Sequence, residues 1–522
     1  MIKKKKLSFY FRINSDKSVG IGHLMRSLRL AKQLKLKGHS CVFCIDKKIN
    51  VETVIKDFQI IYLYKSNESF KNQISDANLF LNKINYINSI VIIDDYRLSY
   101  VWEKHVSKKV NKIIVFDDLE IQKHYSDIYI NYKPSFENSA NFNQKIILKK
   151  NCKILIGPKY NVIECMAKKR KRKKLFTFCF YLGGSGNLVK IYRIIQSLIQ
   201  KKIKNFEILV IAGPYAKNLN LIEKLSKKFS SIKIIKGEYS IDKVISKVDL
   251  LIGSAGNIVY ESSYYNIPSL FFEISKNQKT NIFSMEKIGH YFVLPNRSFK
   301  EISKISELIF LMYINYKRIF LLSKNKEIKI DNTGISRIVD AIFSTNKKIT
   351  TIKKNRLISN NKKINYKILK IEDGEINKYL YSRNSVSNRE ASTISKKISN
   401  LDHYIWWLTT SRNSLYLIKN NEVILALYDE IIRSNSKNYS FQGWFSISKN
   451  CSLKDILFAL IWQKKYIKNK KNINLSISMV KKENKINLSK YLGWKLVDKY
   501  SEAYTVLKKT YKPKDNHLFY ER

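Results

Sequence analysis

The sequence predicts an α/β protein built from two successive doubly wound, Rossmann-type domains that face each other across a cleft, followed by a smaller α+β domain. Three observations predict it. Short apolar, β-branched segments alternate with helical patterns from residue 7 to about 345. That rhythm restarts once, after the basic run Lys168–Lys174. A lysine- and asparagine-rich stretch, roughly Asn346–Lys367, then precedes a unit with a different order of elements. The 522 residues suit about three domains of ~100–200 residues, each long enough to bury its own core. The expected boundaries are 1–167 and 175–345 for the facing domains, 346–367 for a linker and 368–512 for the last domain.

In the first domain, strands are expected at Leu7–Ile13, Ser40–Ile45, Ser89–Ile93, Lys112–Phe116 and Ile128–Asn131. In the second they are expected at Leu175–Leu182, Glu207–Ile211, Lys233–Lys236 and Leu250–Ile252, with one more in the Phe-Phe-Glu-Ile run after Pro268. Continuous apolar runs between helices argue for parallel sheets covered on both faces. The last domain is expected to hold a helix over Ile394–Leu408, then strands near Leu415–Ile418, Val423–Asp429 and Tyr439–Ile447. A helix over Leu453–Ile467, a strand at Ile473–Met479 and a closing strand near Ala503–Leu507 complete it.

Composition excludes some classes. Hydrophobic residues make up 44% and aromatics 12%, too many for a disordered polyelectrolyte. The net charge of +55 invites a nucleic-acid reading. However, only 16 of the 97 basic residues are Arg, the side chain preferred for bidentate phosphate and base contacts. Lys, Asn, Ile and Tyr share A/T-rich codons, so genome composition accounts for the charge and no specific nucleic-acid partner is expected. Cys41 and Cys44 form a Cys-x-x-Cys inside an apparent buried strand, and no second pair stands at metal-ligand spacing, so core thiols and no metal are expected. The N-terminus lacks a cleavable leader pattern, and no apolar run reaches the ~18 residues of a membrane span. A cytoplasmic protein without a membrane span is the expectation.

The sharpest signal is the segment Arg12 to Arg26, containing Asn14, Gly20, Gly22 and His23. It follows the first strand and opens a helix whose Leu24, Leu28, Ala31 and Leu34 recur at helical spacing, with Gly38 as its stop. Gly20 and Gly22 allow a tight turn and close approach to a ligand. His23 lies at the helix N-terminus, where the dipole disfavours imidazolium and so favours a neutral general base; a glycine turn with a capping histidine is the other reading. In the second domain, Gly183-Gly184-Ser185-Gly186 stands between a strand and a helix, where backbone N–H groups can cradle a diphosphate. Gly253-Ser254-Ala255-Gly256-Asn257 repeats the arrangement. Glu261 is placed one turn further on to accept bonds from a ribose diol, and Asn277-Gln278 opens another helix.

These motifs resemble the UDP-2,4-diacetamido-2,4,6-trideoxy-β-L-altropyranose hydrolases of pseudaminic acid biosynthesis. The resemblance continues through Val91–Tyr96, Phe116–Leu119, Ile156–Tyr160 and the two glycine loops, covering roughly residues 6–340. It implies a GT-B-like pair of domains and hydrolysis of a UDP-linked sugar by water with inversion, releasing UDP. It implies that His23 is the catalytic base, that Tyr96 lies beside the sugar, and that Gly184, Ser185, Gly256, Asn257, Glu261, Asn277 and Gln278 surround UDP. Arg12, Asn14, Gly20, Gly22 and Arg26 complete the implied substrate site. No cofactor is required. Three places depart from the family: Asn14 stands where it usually has Asp, which bears on sugar specificity, Gly186 removes an acidic side chain, and Asn161–Cys165 replaces a common leucine-arginine pair. A GT-B glycosyltransferase using a UDP-sugar donor is the alternative enzyme, and a basic nucleic-acid-binding protein the alternative of another class.

The last domain resembles a GNAT acetyltransferase that acts in the same pathway, through Arg383-Asn384, Ile394-Ser395, Asp402–Trp406 and Asn484…Tyr491–Trp494. The turn that would hold the acetyl-CoA pyrophosphate reads Ser448–Asp455 and contains no glycine. Two readings stay open, a working acetyltransferase that binds acetyl-CoA and a degenerate module. Neighbouring pathway enzymes are candidate partners. His403 is expected to be a helix residue packed beside Trp406 and Trp407 rather than a ligand.

Overall fold

The computed structural model describes residues 6–14, 22–47, 54–134, 144–168, 175–201, 203–236, 241–275, 278–279, 281–344, 364–392, 395–434, 437–470, 472–481, 492–511 and 517–522. The chain divides into two compact units, Met1–Ile349 and Thr350–Arg522. The first holds two parallel sheets. Strands β1 (Ser8–Ile13), β2 (Ser40–Ile45), β3 (Gln59–Tyr62), β4 (Ser89–Asp94), β5 (Lys112–Phe116), β6 (Ile128–Asn131) and β7 (Lys153–Ile156) lie in the order β3-β2-β1-β4-β5-β6-β7. Strands β8 (Phe176–Tyr181), β9 (Phe206–Ala212), β10 (Ile232–Lys236), β11 (Leu250–Ser254), β12 (Ser269–Glu273) and β13 (Phe292–Pro295) lie in the order β10-β9-β8-β11-β12-β13. The fold class is the one expected, two doubly wound halves followed by a further sheet-rich unit.

Each half reverses its strand order beside its first strand, between β1 and β4 and between β8 and β11. Ligands of such sheets bind beyond the carboxyl ends of the strands at that point. The alternation along β1 explains why the first sheet is covered twice. Phe9, Phe11 and Ile13 enter one core and Tyr10 the core on the opposite face. Cys41 and Cys44 divide the same way, so the Cys-x-x-Cys spacing joins nothing. Burial pushes both thiols up to about 12. Helix Gly334–Phe343 crosses back to the first half: Lys112 and Lys153 donate to the carbonyls of Ile342 and Ala341 at its C-terminal end, at 2.9 and 3.3 Å. A Cβ on its first residue, Gly334, would meet the Asn161 carbonyl oxygen at 2.1 Å.

The second unit has one sheet of seven strands, β14 (Tyr366–Lys370), β15 (Asn413–Lys419), β16 (Glu422–Ser434), β17 (Lys437–Ser446), β18 (Leu475–Lys481), β19 (Lys495–Leu496) and β20 (His517–Glu521), in the order β14-β15-β16-β17-β18-β20-β19. Its pairs are antiparallel except β17 with β18, which pair only over Tyr439–Phe441. Beyond that point the Ser478 hydroxyl takes the Gln442 carbonyl at 3.1 Å.

Two expected elements differ. The segment Ala503–Leu507 is not a strand but part of a helix, Glu502–Tyr511, and the closing strand is β20. Ala503, Val506 and Leu507 recur at helical spacing and share one core, the period that decides against a strand. The helix expected from Ile394 begins at Asn400, because the Ser399 side chain accepts from the Asp402 N–H and fixes its start. Ile394 lies outside the described residues, as do Asn484, Tyr491 and most of the basic run after Lys168. Among the described residues no helix is long and apolar enough to cross a membrane.

Candidate active site

Helix α1 (Gly22–Leu36) leaves the carboxyl end of β1 and stops where Gly38 takes a φ of +87°. Its buried Leu24, Leu28, Ala31 and Leu34 fix the helix against the sheet. This anchoring sets the opposite stripe, in which His23, Arg26 and Arg29 recur every three residues and so point the same way. They meet acids from three other segments. His23 Nδ1 lies 2.5 Å from Asp94 Oδ1, at the end of β4. The Arg26 guanidinium grips both oxygens of Asp94 and reaches Asp118 Oδ2 and the Tyr132 hydroxyl, each at 3.3 Å. Arg29 donates to Glu261 Oε1 of the second sheet's half at 2.7 Å and to the Val162 carbonyl at 2.8 Å.

The Asp94 contact assigns the His23 proton to Nδ1 in the neutral ring, as the hydrogen-bond pattern requires. Nε2 then carries the lone pair, and it has no protein partner among the described residues. Tyr96 meets the His23 ring edge-on at 4.6 Å and donates its hydroxyl to Asp118. The electrostatics correct one expectation. Burial pulls the His23 imidazolium down, but the Asp94 carboxylate outweighs it and raises the group above its ordinary value. A carboxylate in direct contact exceeds the partial charge of a helix end. Arg26 and His23 in turn overcome the burial of Asp94 and hold it well below the usual carboxylate range.

Other expected site residues take different places. Arg12 is wholly buried and held by Asp76 through two bonds and by Asp46 at 2.7 Å, with Asp95 at 3.6 Å. With no surface to offer a substrate, it corrects from a ligand contact to a buried ion-pair centre. Arg26, expected to touch substrate, is 3% exposed and positions Asp94 instead. Asn14 is buried at the end of β1. Glu261, expected to face a ribose, is 2% exposed and engaged by Arg29. Gly20 and Asn277 lie outside the described residues, whereas Gly22 opens α1.

The first glycine loop is pressed against the turn after β9. Gly183 has a φ of +82°, and the Gly184 and Gly186 carbonyls accept from the Tyr215 and Lys217 N–H groups at 2.8 and 3.1 Å. A Cβ on Gly213 would meet the Gly183 and Gly184 carbonyl oxygens and Gly184 Cα, all at 2.6 Å, so that turn tolerates only glycine. Among the described residues the N–H groups of Gly184, Ser185 and Gly186 have no protein acceptor. They precede helix Leu188–Ile199, whose N-cap is Asn187. Such a loop can take an anion. In the second loop the Asn257 Oδ1 accepts from the Tyr132 hydroxyl at 3.1 Å, and Gln278 Nε2 would lie 3.7 Å from a Cβ on Gly256.

Arg29, Asp94, Asp118 and Tyr132 were not singled out by the sequence as site residues. The three-residue spacing from His23 could have found Arg29, and the strand-end position of Asp94 and Asp118 could have found both acids. Tyr132 carries no sequence signal, since its partners come from three separate segments.

Behind Tyr96 lies a second buried network. His124 Nδ1 is 2.7 Å from Glu103 Oε1, and its Nε2 is 3.3 Å from Asp117 Oδ2, which also accepts from Tyr129 at 2.9 Å. Burial disfavours the imidazolium, but Asp117 and Glu103 prevail and raise it to about 9. A folded value above the unfolded ~6.5 means stabilisation fully present below about pH 6.5 and lost as pH rises through about 9. The expected result is a thermal midpoint that falls over that interval, with a stability change on the order of 3 kcal/mol. Melts of His124→Gln across the same pH range check this: the variant starts less stable and loses that slope.

In the second unit, Ser452 and Asp455 form a capping box at the start of helix Leu453–Lys468, in the turn after β17. Asp455 also accepts from Tyr366 at 2.5 Å and pairs with Lys419 at 3.0 Å. His403 packs beside Trp406 and Trp407, bonds the Ile376 carbonyl at 2.8 Å and is pushed down to about 4 by burial.

No protein-family model matches the chain. An uncharacterised protein of Methanocaldococcus jannaschii is 28% identical over 276 residues, 49% of this chain and 54% of that protein. The chain thus spans about half the length of that relative. The UDP-2,4-diacetamido-2,4,6-trideoxy-β-L-altropyranose hydrolase of Campylobacter jejuni is 25% identical over 294 residues, 54% of this chain and 96% of that enzyme. Among solved structures, MurG of Acinetobacter baumannii superposes with a TM-score of 0.46 at 12% identity, over 65% of this chain and 99% of that one. A glycosyltransferase of Rickettsia africae does so with a TM-score of 0.41 at 14% identity, over 65% and 98%.

Proposed function

We propose that the first unit hydrolyses a UDP-linked 2,4-diacetamido-2,4,6-trideoxyhexose at its anomeric carbon, with inversion, giving UDP and the free sugar. The observation that carries this reading is His23, with Nδ1 closed by Asp94 and Nε2 open. Similarity to the Campylobacter jejuni hydrolase over 96% of that enzyme supports the substrate class. In the reaction, Nε2 takes a proton from water as the water oxygen bonds the anomeric carbon. The bond from that carbon to the UDP oxygen breaks, and its electron pair leaves with UDP. Attack on the face opposite the leaving group inverts the centre. Asp94 stabilises the imidazolium as it forms, as the acid of a catalytic triad does. The open N–H groups of Gly184, Ser185 and Gly186 are placed to meet charge growing on the diphosphate, a role that calls for no cofactor.

The test is incubation of the protein with UDP-linked 2,4-diacetamido sugars and no acceptor, read by mass and NMR. Release of free sugar with the opposite anomeric configuration is expected. UDP release that appears only when an acceptor is added would instead make the protein a glycosyltransferase. For the second unit we favour the degenerate reading, because Asp455 already fills the helix start where a pyrophosphate would need open N–H groups. Calorimetry of the full chain with acetyl-CoA should then register no binding.

A further inference from the structure

Besides the Arg29–Glu261 pair, one side chain that neither motif contains joins the two halves of the proposed site. Tyr132 follows β6 and is 5% exposed. Its hydroxyl accepts from Arg26 Nη1 at 3.3 Å and donates to Asn257 Oδ1 at 3.1 Å. Arg26 is the group that grips Asp94, and Asp94 is the group that holds His23. A second tie secures the position: the hydroxyl of Tyr260, the third residue of the helix after Asn257, donates to the Tyr132 carbonyl at 2.8 Å. The Tyr132 ring meets the Tyr260 ring edge-on at 5.4 Å and the Phe116 ring at 6.4 Å, so the hydroxyl has no alternative position without repacking.

We infer that Tyr132 is a positioning residue that links the base half of the site to the nucleotide half. Its hydroxyl fixes two groups at once. By donating to Oδ1, it fixes which way the Asn257 amide faces, leaving the Nδ2 donor without a protein acceptor among the described residues and free for a ligand. By accepting from Arg26, it fixes the guanidinium that orients Asp94. A phenol suits this role because it accepts one bond and donates one in the same plane. Burial also raises the pKa of its phenol, so it stays protonated and keeps its donor.

The inference rests on the nucleotide reading above, and the experiment separates the two. Tyr132→Phe keeps the ring and its packing and removes only the hydroxyl. UDP binding is measured by calorimetry for the wild type, Tyr132→Phe, Asn257→Ala and the double variant, with turnover in parallel. Loss of one hydrogen bond to a neutral amide should weaken UDP by about 2–10-fold in Tyr132→Phe, and release of Arg26 should lower kcat by roughly 10-fold. Because the hydroxyl acts on UDP through Asn257, the double variant should bind UDP no worse than Asn257→Ala. A purely structural loss would instead multiply the two defects, and that result overturns the inference. So does wild-type UDP affinity in Tyr132→Phe. A wild-type protein that binds no UDP removes the nucleotide reading itself, and the inference with it.

Discussion

His23→Ala should lower turnover by about 10²–10⁴-fold while UDP affinity stays within a few-fold of wild type. The size follows from what the side chain supplies. Water is a poor nucleophile, and the imidazole accepts its proton during attack; removing that acceptor leaves attack by unassisted water. UDP affinity should persist because its proposed contacts, the Gly184–Gly186 amides and Asn257, belong to the other sheet. Folding should persist as well. His23 lies in the first turn of α1, and the buried Leu24, Leu28, Ala31 and Leu34 that anchor the helix remain. The measurement is single-turnover hydrolysis together with calorimetry of UDP. Normal turnover would remove His23 from the mechanism, and loss of both activities would point to a folding defect instead.

The sequence revealed those features whose cause is local. The period-two and continuous apolar runs marked the central strands β1, β2, β4, β5, β8 and β9, and a glycine before a helical pattern marked the helix carrying His23. Strands such as β3 and β7 are harder to see because they are four residues long and lie at a sheet edge. Within the helix Glu502–Tyr511, the propensities of Tyr504, Thr505 and Val506 favour a strand. Its three-to-four spacing, which places Ala503, Val506 and Leu507 in one core, outweighed that propensity.

The candidate site divides along the same line. Glycine loops and a helix-start histidine are contiguous in sequence, so they could be read directly. The partners of charged side chains could not. Arg12, near the end of β1, stands in the same motif as His23 in the following helix, yet its side chain is wholly buried. Its guanidinium ends among Asp46, Asp76 and Asp95, acids up to 83 positions further along. Glu261 likewise meets Arg29 across a sequence separation of 232. Long-range ion pairs of this kind arise from strand order, which composition and periodicity leave open.

Asp94→Asn should be at least as damaging as removal of His23, by about 10³–10⁴-fold in kcat, although the substituted group never touches the substrate. An asparagine can turn its amide nitrogen toward His23 Nδ1. That nitrogen must then accept, the ring proton moves to Nε2, and the atom facing the water no longer has a lone pair. Asp94 also raises the imidazolium and stabilises it during the reaction. The pH profile separates this effect from simple damage. In the wild type, activity should rise with pH as His23 loses its proton, with a midpoint above the ordinary ~6.5 of histidine. In Asp94→Asn the opposing burial is unbalanced, so the midpoint should shift toward lower pH while the plateau falls. Some stability is lost too, because the buried Arg26 charge keeps only the 3.3 Å contact with Asp118, a change below the ~3–5 kcal/mol of a wholly unpaired buried charge. Asp94→Asn/Arg26→Met removes both charges and should recover part of that stability without recovering kcat. If kcat returned with stability, Asp94 would act only through the fold. If the double variant stayed inactive while folded and able to bind UDP, the carboxylate would be acting through His23.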